Sequence, residues 1–358
     1  MAPEHPQSTP AQPPVVLILS FPSLASFLSS STHLPTVHSH ALKADTLTVV
    51  VKTLSNEPSP WSPAPSNESS SSSSSASPPR SSRPAPSPVQ LWLPLEAAIA
   101  QVYSAASTAF LKTGRITAQV DVVLDSMRGL PFCPPNSAEV VRWQHEGENA
   151  EASGESEVDG VNGEAGKGIY DVAALGGTFD HLHAGHKILL TMACAITSRK
   201  LIVGISDDVL LKNKKFAHLL EPLQQRVRTV ERFVELVRPS IVHDVVPIRD
   251  VYGPTGWDPE IEALVVSDET RAGGDTINTL RKEKHLNPLD VHVINLVADD
   301  SSSDGNAGAA DGAVPAVKVE AAAKMGSTGI REWLDRRERE RRERGAEAGD
   351  GEEKRNGS

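Results

Sequence analysis

The stretch YDVAALGGTFDHLHAGHKILLTMACAITSRK, residues 170–200, decides the fold. It opens with Val172, Ala173, Ala174 and Leu175, an apolar run of the length expected for a strand buried on both faces. Gly176 and Gly177 end that run, and Thr178-Phe179-Asp180-His181-Leu182-His183-Ala184-Gly185-His186 follows. From His186 onward Leu189, Met192, Ala193 and Ile196 recur at helical spacing. The pattern predicts a strand, a glycine turn and a helix with two histidines at its start.

That geometry suits an anion. The first turn of a helix presents unpaired N–H groups and the positive end of the dipole. Gly176 and Gly177 lack a Cβ, so a phosphate chain approaches the backbone closely. His183 and His186 are three apart, share a face of the first turn and each have a ring N–H to donate. The plainer alternative is a strand–helix unit whose histidines merely cap the helix.

Downstream, strand and helix patterns alternate. Residues 201–206, 241–246, 263–267 and 291–297 are strand candidates, and helical patterns fill 186–198, 222–237 and 274–284. In the middle helix Val227, Val230, Val234 and Val237 form the buried stripe, and Pro222 suits a first turn. Such alternation implies an α/β fold: a Rossmann-like parallel five-stranded sheet with right-handed crossovers. Ligands on these sheets bind beyond the carboxyl ends of the strands, where strand order reverses. His183, His186, the Lys212 loop, Asp250 and Ser267 all follow strands, so one cleft collects them.

Upstream, residues 15–20 and 46–52 read as buried strands, 23–30 as a short helix, 94–112 as a longer helix and 116–124 as another strand. This is a small N-terminal α/β domain, residues 1–143, interrupted by an insertion. It has no glycine-rich phosphate loop and no cluster of catalytic residue types, so a structural or interaction role is expected for it.

Composition sets the remaining bounds. Serine and proline crowd residues 55–88, with seven consecutive serines from Ser69 to Ser75, and such a tract is expected to be disordered. Residues 144–168 hold seven acidic side chains against one lysine. Much of the net charge of −11 therefore belongs to a linker and not to a binding face. No basic surface suggests nucleic acid. Residues 298–315 form another expected disordered excursion, and 336–358 a charged tail. Cys133 and Cys194 have neither metal-ligand nor redox spacing, which fits a reducing compartment. No apolar run reaches membrane-spanning length, and the N-terminus lacks a signal or transit pattern. A cytoplasmic setting is the expectation, with the nucleus also open.

GGTFDHLHAGH resembles the GTFD…HxGH motif of the HIGH-type nucleotidyltransferase superfamily. The wider segment is similar to eukaryotic phosphopantetheine adenylyltransferases, including the corresponding domain of coenzyme A synthase. The resemblance continues through LIVGISDDVLLKNKK, LLEPLQQRV, RPSIVHDVVPIRDVYGPTGWDP, LVVSDET and GGDTINTLRKE, and covers a little over a third of the chain. It implies a nucleotidyltransferase domain over residues 169–335. The implied reaction joins ATP and 4′-phosphopantetheine, with Mg²⁺, to give 3′-dephospho-CoA and pyrophosphate. Rivals are a cytidylyltransferase, a nicotinamide-mononucleotide adenylyltransferase, and a non-catalytic scaffold for other coenzyme A enzymes. No GxxxxGK[ST] loop occurs, so the kinase half of coenzyme A synthase is not expected here.

Adenylyl transfer needs in-line positioning and charge stabilisation, because the attacking phosphate is already ionised near neutral pH. The resemblance assigns His183, His186, Lys212 and Lys214 to the reacting phosphates. Gly176, Gly177 and Thr178 join them on the phosphate side. Ser267, Glu269 and Thr270 are expected to face the nucleotide, and Asn278 and Arg281 to reach it from the next helix. Ser327, Thr328 and Arg331, in GSTGIR, match the superfamily's late phosphate-binding element. Asp180 and Tyr252 are placed on the substrate side. For Asp180 the residues leave three readings open: a backbone acceptor, a holder of water on Mg²⁺, or a shaper of the turn. The family usually has an aromatic residue and then Arg after SxET, whereas here Arg271 is followed by Ala272. No protein ligand set for a metal is expected.

Overall fold

The computed structural model describes residues 13–54, 88–145, 169–294 and 326–356, with only the backbone of 88–90 and 345–356. Most of the serine tract, nearly all of the acidic linker, the 298–315 excursion and the end of the 291–297 strand lie outside the described residues.

The first unit comprises β1 (Val15–Phe21), α1 (Leu24–Ser29), α2 (Leu34–Ala41), β2 (Thr46–Thr53), α3 (Pro88–Lys112), β3 (Gln119–Leu124), α4 (Asp125–Arg128) and β4 (Glu139–Gln144). The second comprises β5 (Tyr170–Gly177), α5 (Ala184–Ile196), β6 (Thr197–Ser206), α6 (Leu223–Val237), β7 (Val242–Ile248), β8 (Ala263–Ser267), α7 (Arg271–Glu283), β9 (Asp290–Ile294) and α8 (Ser327–Asn356). The strands form a four-stranded sheet ordered β3-β2-β1-β4 and a five-stranded sheet ordered β7-β6-β5-β8-β9. Every pairing in both is parallel. In the larger sheet the order reverses at β5, between β6 and β8, which fixes where a ligand cleft opens.

Parallel strands covered on both faces need apolar side chains on both faces, and β5 and β6 have them. Ala173, Leu175, Leu201 and Val203 turn to one side and join Leu17, Leu19, Val49 and Val51 of the smaller sheet in a single core. Helices α3, α5 and α6 contribute Ile99, Tyr103, Leu190, Ala193, Val230 and Val234 to it. On the other face Val172, Ala174, Ile202 and Leu264 pack with Ile277 of α7. The two units therefore share one interior. Helix α5 is consequently enclosed: eleven of its thirteen residues are buried, where amphipathic spacing alone predicts one wet face.

Three features differ from the sequence expectation. Strand β4 and helix α2 were not legible; β4 is a half-exposed edge strand, EVVRWQ, without a continuous apolar run. Helix α5 starts at Ala184 and passes directly into β6 at Thr197. The buried Arg238 closes that junction, donating from Nη1 to the Cys194 carbonyl at 2.7 Å. The expected charged tail after 335 continues as helix, supported by i,i+4 ion pairs such as Asp335–Arg339 at 2.7 Å. Among the described residues no helix is long and apolar enough to cross a membrane.

Candidate active site

Strand β5 delivers the chain to a tight turn. A Cβ on Gly177 would lie 3.1 Å from the Phe179 ring, so the turn closes over a glycine. Phe179 and His181 both adopt left-handed backbone conformations, with φ of 50° and 46°. Strain of this kind persists only where surrounding contacts fix it. Here those contacts are dense. Arg226, wholly buried on α6, donates to the carbonyls of Thr178 (3.0 Å), Ser206 (2.8 Å) and Glu221 (3.0 Å), and pairs with Asp208 at 3.0 Å. Glu221 in turn accepts from the His181 N–H at 2.7 Å. Sequence reasoning missed Arg226 because its position in LLEPLQQRV signals only a helix.

His183 is the N-cap of α5, without a side-chain cap bond, and its ring stacks on that of His186 with centroids 3.9 Å apart. Burial, Lys187 and His181 push the His183 imidazole down to about 4. Burial, His183 and Lys214 hold His186 well below its ordinary value. Both rings are therefore neutral at pH 7, each with one N–H to give. Nδ1 of His186 is buried with no hydrogen-bond partner among the described residues. The two motif histidines thus meet at one point, and Lys214, whose charge reaches His186, stands exposed with Lys212 on the loop after β6.

The late GSTGIR element arrives at the same turn from 147 residues away. The Ser327 hydroxyl donates to the Asp180 carbonyl at 2.8 Å, and Arg331 forms a buried ion pair with the Asp180 carboxylate. Arg331 also donates to the Lys215 carbonyl and to Thr328 Oγ1. The other Asp180 oxygen accepts from the Glu221 N–H at 2.8 Å. Of the three readings open for Asp180, the structure takes the third together with the first: a buried acceptor that shapes the turn. Its expected place beside the substrate is corrected accordingly. Arg331 is likewise a clamp, with its guanidinium engaged by protein partners and turned away from a phosphate role.

Two further expectations are corrected. Arg281, fully buried, donates to the carbonyls of Asn287, Thr255, Asp258 and Ile261, so no donor faces the cleft. The Asn278 amide is closed on the backbone of Leu289, giving and accepting one bond each at 2.9 and 2.8 Å. Both fasten α7 to neighbouring loops in place of the nucleotide contacts expected of them. Ser267 and Thr270 stand at the carboxyl end of β8, where their side chains cap each other's backbone, and Glu269 beside them is exposed. Gly176 is exposed at the end of β5, and Thr178 is half-buried there. Tyr252, after β7, packs its ring against the core around Ile202 and Leu264. Among the described residues no three His, Cys, Asp or Glu are placed to hold a metal ion. A cavity of about 580 Å³ opens at the opposite, amino ends of β5 and β9, lined by Asp171, Arg199, Glu260 and Asp290. It takes no part in the arrangement just described.

A family model described as cytidylyltransferase-like matches residues 174–332. A phosphopantetheine adenylyltransferase of Saccharomyces cerevisiae is 38% identical over 217 residues, which are 57% of this chain and 71% of that protein. An uncharacterized protein of Schizosaccharomyces pombe is 42% identical over 135 residues, 37% of this chain and 43% of that protein. A phosphopantetheine adenylyltransferase of Methanopyrus kandleri is 40% identical over 125 residues, covering 35% of this chain and 78% of its own length.

Proposed function

The chain belongs to the phosphopantetheine adenylyltransferase family, and we propose that its cleft at the β5/β8 switch point performs that reaction on ATP and 4′-phosphopantetheine. A phosphate oxygen of 4′-phosphopantetheine attacks the α-phosphorus of ATP. One P–O bond forms there as the bond to the β-phosphate bridging oxygen breaks, and the electron pair leaves on pyrophosphate. The product is 3′-dephospho-CoA. The attacking phosphate, with a second pKa of about 6, supplies its own charge, so no general base is required.

The observation that carries this reading is the stacked, neutral His183–His186 pair at the head of α5. Neutral imidazoles donate to phosphate oxygens without the penalty of a buried imidazolium. Lys212 and Lys214 supply positive charge where the triphosphate crowds negative charge. Thr178, the backbone at Gly176 and Gly177, and the start of α8 at Ser327 and Thr328 complete the phosphate side. Ser267, Glu269 and Thr270 border the nucleotide, and Tyr252 the pantetheine arm. Magnesium would be held by the triphosphate oxygens and water, since the buried Asp180 carboxylate at the turn is engaged by Arg331. Such water-borne substrates fit a cytoplasmic or nuclear setting.

A panel tests the substrates. The purified chain with Mg²⁺ should release pyrophosphate from ATP only with 4′-phosphopantetheine, and not from CTP or with nicotinamide mononucleotide. Release with another pair would retain the fold and overturn the substrate assignment.

A further inference from the structure

Lys187 follows the second histidine of the motif directly, yet it points away from the cleft and is 3% exposed. Its ammonium has three hydrogens and three acceptors, all on β3 of the other sheet. Nζ lies 2.7 Å from the Asp121 carboxylate, 2.7 Å from the Val120 carbonyl and 3.1 Å from Gln119 Oε1. The Phe233 ring of α6 closes the site at 5.8 Å. Among the described residues β3 is an edge strand, paired only with β2. Its open edge would otherwise present bare peptide groups. Lys187 closes it at Val120, and the Tyr103 hydroxyl accepts from the Val122 N–H. At the other end of the same residue, the Lys187 N–H donates to the His183 carbonyl at 3.0 Å, the first bond of the helix. One residue thus joins the histidine turn to the N-terminal sheet.

We infer that Lys187, through its buried bonds to Asp121 and Val120, is a positioning residue for the histidine pair, and that the N-terminal unit serves adenylyl transfer as the brace of helix α5. This rests on the reading of the cleft given above. A fully paired buried ammonium fixes its own position tightly, since any shift breaks a charge-assisted bond in a dry setting. Because the Lys187 N–H also closes the first helical bond on the His183 carbonyl, that position is passed through the backbone to the imidazoles. The charged and titratable groups facing His183 are Lys187 and His181, with His186 stacked on it. Those facing His186 are His183 and Lys214.

The test uses the full chain carrying Lys187→Met, Asp121→Asn, or both. Each single change should lower kcat about tenfold or more while KM for ATP moves by less than roughly threefold, as for displaced reacting groups. The double variant leaves no unpaired buried charge, so it should regain much of the lost thermal stability but not the lost kcat. Where Lys187→Met fails to fold, Asp121→Asn and the double variant decide the same question. Independently of turnover, the His183 ring, followed by NMR, should titrate about half a unit or more higher once the Lys187 charge is gone in the double variant. Recovery of kcat together with stability, or an unmoved His183 titration, would overturn the inference. A wild-type chain that makes no dephospho-CoA would overturn the assigned reaction and leave the NMR result to judge the brace.

Discussion

His183 and His186 are half-buried, and an imidazolium there would meet packed side chains, a second ring at 3.9 Å and the charges of Lys187 and Lys214. Replacing His186 by Ala removes one donor to the phosphates and should lower kcat about 10²- to 10³-fold while the circular dichroism of the fold is retained. Activity within threefold of wild type would contradict its role. A second histidine makes the same physics visible in stability. His33, enclosed by Phe21, Phe27 and Trp143, has both ring nitrogens unpartnered and is lowered to about 4 by burial and His145. Its folded value lies below the unfolded value of 6.5, so the unfolded chain takes up the proton first. Stability is therefore full above pH 6.5 and falls as pH drops toward 4, by on the order of 3 kcal/mol for His33. Denaturant unfolding of His33→Phe should show a flatter pH profile and, because an unpartnered polar group is gone, a gain of about 1 kcal/mol at pH 7. An unchanged slope would refute this. The histidine pair was legible because spacing and the turn composition sufficed. The duties of Asp180, Asn278, Arg281 and Arg331 were not, because no sequence pattern says which carbonyls a fold will bring to a buried guanidinium.

At the scale of elements, the cleft is a meeting of two helix starts at one strained turn. α5 supplies the histidines, and α8 docks on the turn through Ser327 and Arg331. Arg331→Met would strand the Asp180 carboxylate in the interior, a loss of about 3–5 kcal/mol in unfolding free energy, with turnover falling as the turn relaxes. Arg339→Ala, which removes an exposed guanidinium from its i,i+4 pair with half-buried Asp335 farther along α8, should stay within about 1 kcal/mol and keep kcat. Equal effects from the two would mean that α8 is not a clamp. The GSTGIR signature announced the helix start, and the charged residues beyond Leu334 concealed its length. Glutamate and arginine in i,i+4 pairs read as a polar tail when only hydrophobic periodicity is sought.

Across the whole molecule, the two sheets run in matching order: β3-β2-β1-β4 in the first and β7-β6-β5-β8 in the second, with β9 added. Among the described residues only the second carries a glycine turn at its reversal point; the first has Phe21 there, packed against His33 and His145. The first has turned its interior to covering α5, and Trp92 of α3 reaches across to donate to the Val293 carbonyl at 3.2 Å. A chain beginning at Ile169 would uncover α3's footprint on α5 and leave the Lys187 ammonium without its three acceptors. It should lose cooperative thermal unfolding and aggregate. A sharp transition in that fragment would contradict a shared core. The all-round apolar sequence of α5 was present to be read, and five parallel strands followed from the alternation. What covered the helix was not readable, because it comes from residues far upstream across a serine-rich insertion. Transfer of AMP from ATP to 4′-phosphopantetheine in this cleft is followed with ATP labelled at the α-phosphate. The label should pass into 3′-dephospho-CoA while the released pyrophosphate stays unlabelled. Folded protein that transfers no label to 4′-phosphopantetheine would contradict that assignment.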